Sequence, residues 1–174
     1  MVISSDILLK GAEWKNGINS LSKIFTTRTN YSVFIISASI GIMYDKQIDS
    51  LSEDGEDPLY VPRNVLSQNR DELKFLYQTA LITTSLVDFD EEKRLELAFG
   101  EENRDDIDPL KFLLKYANFG IIKLIDRIGV DDLESLENIK NFLTSTMEGT
   151  NFDIDSIDDE LEDLKIAEEI DSSY

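Results

Sequence analysis

One long amphipathic pattern, which opens at Asp108-Pro109 and continues through residue 128, constrains the fold more than any other feature. Aspartate is a favoured N-cap residue, and proline is favoured at the first helical position because the N–H that it lacks would stay unpaired there. Apolar residues then recur at three- and four-residue steps: Leu110, Leu113, Leu114, Ala117, Ile121, Leu124, Ile125 and Ile128. The pattern predicts a long helix that buries one face and that Gly129 ends.

Helical spacing recurs in residues 18–25, 71–86, 91–99 and 132–146, and predicts a helix in each. The residues expected to face the core in the last two are Leu95, Ala98, Phe99, Leu133, Leu136, Ile139, Phe142 and Leu143. The expected caps and stops are Asn16 or Gly17, Ser67 or Asn69, Gly100 and Gly149. Trp14, the only tryptophan, is placed just before the first of these helices and is interpreted as an anchor at the edge of the core.

Residues 31–44 are apolar on nearly all faces, which fits either a buried helix or a buried strand. The small residues Ser37, Ala38, Ser39 and Gly41 favour a central helix that its neighbours approach closely. Asn30 or Ser32 is the expected cap. After this segment, Pro58 and Pro62 keep the chain extended.

These elements predict a mostly α fold. Residues 1–148 are expected to form one compact single-domain bundle of about five to seven helices. Residues 149–174 are expected to form a separate acidic segment, helical when it is bound to a partner.

The chain contains no histidine and no cysteine, which excludes Ser-His-Asp and Cys-His catalysis, thiolate zinc sites and disulfides. Eight scattered glycines form no phosphate-binding loop. Neighbouring acids such as Glu101-Glu102 are expected by chance among 36 acidic residues. The sequence therefore predicts no enzyme, no cofactor and no metal site. A phosphoesterase that uses carboxylates and a divalent metal is the one catalytic alternative.

The formal charge of −19 makes binding to nucleic acid or to a membrane surface improbable, because both rely on clustered Lys and Arg. The expected partner is a larger protein subunit with a basic or apolar groove, in a complex where this chain could be an oligomer. The longest apolar run, residues 33–44, is shorter than the roughly 20 residues that cross a bilayer. With no secretory signal apparent, a cytoplasmic location is expected.

Residues 149–174 carry 10 acidic residues against Lys165 alone, and their apolar residues recur at helical spacing. The predicted partner-binding residues are Ile154, Ile157, Asp158, Asp159, Leu161, Leu164 and Ile170. Three alternatives remain open for this segment: a helix docked on its own domain, a helix that orders in a partner's groove, and disorder.

Two further segments carry a family resemblance. One is the apolar run from Phe34 to Gly41, followed by Asp57-Pro58-Leu59 and Val61-Pro62. The other is residues 114–122, where Tyr116, Ala117, Asn118 and Gly120 agree with a Glu-Tyr-Ala-Asn-Gly-Gly-Leu pattern and Lys115 and Phe119 replace its Glu and a Gly. Over about residues 31–128 the chain resembles the small accessory proteins associated with bacterial DNA phosphorothioation (dnd) gene clusters.

The resemblance implies an accessory subunit of an antiviral defence system that acts beside ATPases or nucleases, and it supplies no catalytic residue. From the residues themselves, Asn118 or Tyr116 is expected to hydrogen-bond a neighbouring helix, a structural role that is favoured over a binding one. The predicted function is a non-catalytic accessory or scaffold subunit that binds a larger ATPase or nuclease component. The alternative is an acidic DNA mimic that occupies the basic groove of a DNA-binding enzyme. Uneven charge disfavours mimicry, since the first 130 residues hold 21 acidic and 15 basic residues.

Overall fold

The computed structural model describes residues 1, 3–51, 58–100 and 107–147. This part of the chain forms seven helices and one two-stranded sheet. In order they are β1 (Ile7–Leu9), α1 (Ala12–Leu21), α2 (Thr29–Met43), β2 (Leu59–Val61), α3 (Arg63–Gln68), α4 (Arg70–Thr83), α5 (Glu91–Phe99), α6 (Pro109–Ile125) and α7 (Asp132–Met147). The predicted mostly α fold is confirmed. The acidic segment predicted at residues 149–174 lies outside the described residues.

Helices α2 and α6 cross at the centre of the molecule. A Cβ added to Gly41 of α2 would lie 2.1 Å from the carbonyl oxygen of Tyr116. Likewise, a Cβ at Gly120 of α6 would lie 1.8 Å from the carbonyl oxygen of Ser37. The two backbones therefore touch directly, which only glycine permits at these positions. The apolar run 31–44 is therefore a helix and not a strand, and its apolar character on nearly all faces arises because neighbouring elements cover most of α2.

The remaining elements surround this pair. Trp14 of α1 is fully buried and stacks on Phe34, with ring centroids 6.5 Å apart, so it lies within the core and not at its edge as expected. Strands β1 and β2 pair antiparallel, with Ile7 opposite Val61. The extended chain expected after Pro58 is β2. Strand β1 was not predicted, because three residues are too few to show an alternation.

Two helices begin earlier than predicted. Helix α1 starts at Ala12 after Gly11, whose φ of 110° suits glycine, so Trp14 lies inside the helix and not before it. Helix α2 starts at Thr29 after Arg28, which adopts the left-handed conformation with φ 56°. Asn30 is therefore within the first turn, and its side chain donates to the carbonyl oxygen of Tyr60 at 2.8 Å. Asn30 thus makes a tertiary hydrogen bond and not the predicted capping bond.

The predictions for the later helices are closer. Asp108 accepts hydrogen bonds from the backbone N–H groups of Leu110 and Lys111, as an N-cap should. Helix α5 has the predicted limits, with Gly100 at its C-cap. Asn69 occupies the N-cap position of α4, but its side chain donates to the carbonyl oxygen of Val65 and makes no capping bond. Helix α6 ends at Ile125, three residues before the predicted end.

Four apolar residues predicted to face the core are exposed. They are Leu95 and Phe99 of α5 and Leu133 and Leu136 of α7, whereas Ala98, Ile139 and Phe142 are buried as expected. Helical spacing identifies an apolar stripe but does not show how much of it a neighbour covers. In α5 and α7, therefore, only some of the apolar residues of the stripe pack against the core.

Candidate functional site

Four residues, which the sequence analysis singled out by their resemblance to a motif, lie together in the middle of α6. Tyr116, Ala117, Asn118 and Gly120 are all buried. Asn118 uses both ends of its amide: its Oδ1 accepts from Nε1 of Trp14 at 3.0 Å, and its Nδ2 donates to the carbonyl oxygens of Ile48 at 3.1 Å and Asp49 at 3.4 Å. Asn118 thus joins α1, α6 and the segment after α2, and its predicted bond to a neighbouring helix is confirmed.

Tyr116 also binds the segment that follows α2, through Asp45. Its hydroxyl donates to Asp45 at 3.2 Å, and Asp45 also accepts from the N–H and the hydroxyl of Ser85 at 2.7 and 2.6 Å. Burial raises the pKa of Asp45, but hydrogen bonds from Ser85, Thr84 and Tyr116 outweigh that effect and hold the pKa below its usual 3.8. Burial is also the main cause that raises the pKa of Tyr116. The hydrogen bonds of Tyr116 and Asn118 therefore hold these elements together.

A cavity of about 880 Å³ lies between β1, α4, α5 and the start of α6. Its lining is of mixed charge: Lys10, Lys74 and Lys111, with Asp6, Asp49, Glu96 and Asp108. Tyr77 lies at the wall, where burial and the charge of Asp108 raise its pKa to about 12. A lining of mixed sign does not select a ligand of one charge. Within the described part of the chain, no group of three or more acidic residues is arranged to hold a metal ion.

Helices α4 and α5 form an antiparallel hairpin around Arg94. At one end, Nη1 of Arg94 donates to the carbonyl oxygens of Leu81 at 3.0 Å and Thr84 at 2.5 Å. At the other end, the side chain of Gln78 donates to the carbonyl oxygen of Ala98 at 2.8 Å. Because residue 94 meets the end of α4 while residue 98 meets its middle, the helices run in opposite directions.

Each helix of this hairpin carries two large exposed apolar side chains on one of its sides, and we call these four side chains the hairpin face. At one end of the hairpin, Phe75 is 67% exposed and Phe99 is 60% exposed. At the other end, Ile82 is 46% exposed and Leu95 is 47% exposed. The spacing is helical on both elements, seven residues from Phe75 to Ile82 and four from Leu95 to Phe99. Large exposed apolar side chains are typical of interaction surfaces when they form one contiguous patch.

Carboxylates flank the hairpin face at both ends. Asp71 lies one turn before Phe75 on the same side of α4, and Glu91 lies one turn before Leu95 on α5, with Glu92 beside it. All three are exposed. The sequence pattern contained Leu95 and Phe99 but assigned them to the core; Phe75 and Ile82 lie off the stripe used to predict α4 and were missed.

The predicted partner-binding residues Ile154, Ile157, Asp158, Asp159, Leu161, Leu164 and Ile170 lie outside the described residues. None of the described helices is long and apolar enough to span a membrane. Compared with known proteins, the chain matches no family model, no curated protein and no solved structure.

Proposed function

We propose that this chain is a non-catalytic interaction subunit that binds a larger protein through the hairpin face. The observation that carries the proposal is the exposure of four large apolar side chains, Phe75, Ile82, Leu95 and Phe99, on the two paired helices of the hairpin. Aromatic side chains on a rigid element bury much apolar area at little conformational cost, and aromatic residues are enriched among those that contribute most to binding.

The flanking charges indicate the chemistry of the partner. Asp71 at one end and Glu91 and Glu92 at the other would each face a partner group when the apolar side chains are covered. A partner groove that is apolar in its centre and basic at its rim would match both the apolar side chains and the carboxylates. The opposite charges would mainly increase the rate of association. The large components of nucleic-acid-processing complexes carry such basic surfaces.

The biological setting rests on the resemblance of residues 31–128 to accessory proteins of DNA phosphorothioation clusters. It supports an accessory or scaffold role in a prokaryotic antiviral defence complex, with an ATPase or nuclease as the larger subunit. The acidic residues 148–174 would add long-range attraction to a basic partner.

The DNA-mimic alternative is less well supported by the distribution of charge. The described residues contain 17 acidic and 15 basic side chains, so 19 of the 36 acids lie in residues 52–57, 101–106 and 148–174. A mimic needs a rigid array of carboxylates at the spacing of phosphates. The described surface is nearly neutral and offers an apolar face instead.

The test is copurification of the full chain, expressed from its native gene cluster, with the larger subunit encoded beside it. Phe75→Ser combined with Phe99→Ser should abolish stoichiometric recovery of that subunit, while the melting temperature stays unchanged because both side chains are exposed. Val130→Ser, at an exposed apolar residue away from the hairpin, is the matched control and should bind normally. The proposal would be refuted if the double variant recovered as much of the larger subunit as the wild type does. It would also be refuted if the wild type only competed with DNA for a DNA-binding enzyme and bound no subunit.

A further inference from the structure

The backbone of Leu8, in the middle of β1, is directed away from β2. Leu8 lies opposite Tyr60, and opposite residues of an antiparallel pair either exchange two hydrogen bonds or turn their backbone groups outward. If these two residues exchanged bonds, the next exchanging pair would be Asp6 and Pro62, but proline has no N–H to donate. As an outward carbonyl should, that of Tyr60 accepts from the side chain of Asn30, at 2.8 Å. The N–H and C=O of Leu8 therefore form an outward edge of the sheet.

This edge faces the cavity of about 880 Å³ that lies between β1, α4, α5 and the start of α6. Residues 4–8 and 10 line the cavity, whereas its described lining includes no residue of β2. Among the described residues, no group bonds to the outward N–H and C=O of Leu8. An unpaired strand edge is a template to which another extended chain can add.

A polar group on the α4 side of the cavity also lacks a partner. Tyr77 lines the cavity and is only 7% exposed. In the part of the chain that the structure describes, its hydroxyl forms no hydrogen bond, yet the oxygen is not fully buried. A tyrosine hydroxyl at such a position usually has a hydrogen-bond partner. Tyr77 thus indicates a ligand that supplies one.

The rest of the lining suits a peptide. Leu51, Ala98 and Leu110 contribute buried apolar side chains, and charged side chains of both signs stand around them. A peptide backbone is a neutral chain of dipoles, so it is compatible with a lining of mixed sign. Ligand-binding cavities typically measure about 300–1,000 Å³, and this one falls within that range. The cavity is therefore large enough for a short extended segment.

The alternation of side chains along a strand determines which residues such a segment should carry. The residue opposite Leu8 would place its side chain beside Leu8 and Tyr60, which are 49% and 52% exposed. Its two neighbours would point to the other face, on which Ile7 and Leu9 are buried. Apolar residues are therefore favoured at three consecutive positions of the segment, and β-branched or aromatic residues fit a strand best.

We propose that this cavity binds an extended apolar segment of a partner protein, which adds to β1 as a third strand. The backbone of the segment exchanges two hydrogen bonds with Leu8, and one of its polar groups pairs with the hydroxyl of Tyr77. The described lining shares no residue with the hairpin face, so this proposal does not depend on the function proposed above.

The test uses a library of short, terminally capped peptides with random apolar residues at three consecutive positions, selected on the full chain. Binding of the enriched peptide should shift the backbone amide signals of residues 5–10 and of Tyr77, and leave those of α7 unchanged. Methylation of the backbone nitrogen of the peptide's central residue should abolish binding, because it removes the N–H that the carbonyl of Leu8 accepts. Failure to enrich any peptide, shifts confined to the hairpin face, or equal binding of the methylated peptide would each overturn the proposal.

Variants of the chain test the same contacts. Leu8→Pro removes the outward N–H but no bond to β2, and proline is tolerated on edge strands, so binding should weaken by about tenfold or more in a folded variant. Leu8→Val keeps the N–H and should bind normally. Tyr77→Phe should weaken binding by about threefold to tenfold. If Leu8→Pro unfolds the chain, the methylated peptide tests that contact from the other side, and wild-type affinity in a folded Leu8→Pro would refute the strand addition.

Hydrogen exchange of the free chain distinguishes a partner segment from other occupants of the edge. The amide of Leu8 should exchange faster than those of Ile7 and Leu9, which bond to β2, and it should become protected when the peptide is added. If the Leu8 amide were already protected in the free chain, a segment of the same chain would occupy the edge. Protection that rises with protein concentration would assign the edge to a second copy, and either result would contradict the proposal.

Discussion

Gly120 of α6 lies directly against the backbone of Ser37 on α2, so close that a Cβ on residue 120 would stand 1.8 Å from the Ser37 carbonyl oxygen. The contact is reciprocated by Gly41 of α2 against Tyr116 of α6. Two backbone contacts fix the crossing of the central helices. Because Tyr116 and Asn118 belong to the same turns of α6, this crossing also positions the hydrogen bonds to Asp45, Ile48 and Trp14.

Gly120→Ala is expected to destabilise the fold by about 3 kcal/mol or more, because backbone atoms cannot yield to the new methyl group. This outweighs the gain of about 1 kcal/mol in helix propensity. The control is Gly17→Ala in α1, where the methyl group meets only the end of the Ile121 side chain, at 2.7 Å, which can rotate. Urea denaturation measures the free energy of unfolding of both variants. Equal values would show that α2 and α6 can move apart to admit the methyl group at residue 120.

Asn118→Ala should cost about 2–3 kcal/mol, because it leaves the buried Nε1 of Trp14 without an acceptor. Trp14 is the only tryptophan, so its fluorescence reports on this site alone. Its emission maximum should shift in the folded variant. Asn64→Ala, at an exposed residue of α3, should change neither emission nor stability. An unchanged emission in Asn118→Ala would mean that this hydrogen bond is absent in solution.

The free energy of unfolding should decrease at low pH, in part because Asp45 becomes protonated. Its pKa is held below 3.8 in the folded state, so its contribution is present above that value and is lost as pH falls through the folded pKa. Asp45→Asn should therefore be less stable than the wild type at pH 7, and the difference should shrink towards pH 3. Denaturant titrations at the two pH values measure this. A difference that is constant with pH would argue against an ionised Asp45 at this site.

Arg94→Lys should loosen the hairpin. The guanidinium donates to four carbonyl groups, those of Leu81, Thr84, Val87 and Phe89, and a lysine ammonium cannot reach them all. We expect a loss of about 1–3 kcal/mol, concentrated locally. Amide hydrogen exchange should accelerate in residues 81–94 and stay slow in α2 and α6. Uniform acceleration across the chain would show that the hairpin and the core unfold together.

The sequence was sufficient wherever the signal is local. The Asp108 cap, the limits of α5 and the presence of α6 and α7 follow from capping chemistry and periodicity within a few residues. The missing histidine and cysteine, and the acidity of residues 148–174, are likewise properties of the chain alone.

The tertiary structure decided everything that depends on which surfaces meet. Trp14 and Asn118 are 104 residues apart, and no local pattern predicts their hydrogen bond. Leu95 and Phe99 read as core residues until the extent of their cover is known, because periodicity defines a stripe and only packing determines how much of it is buried.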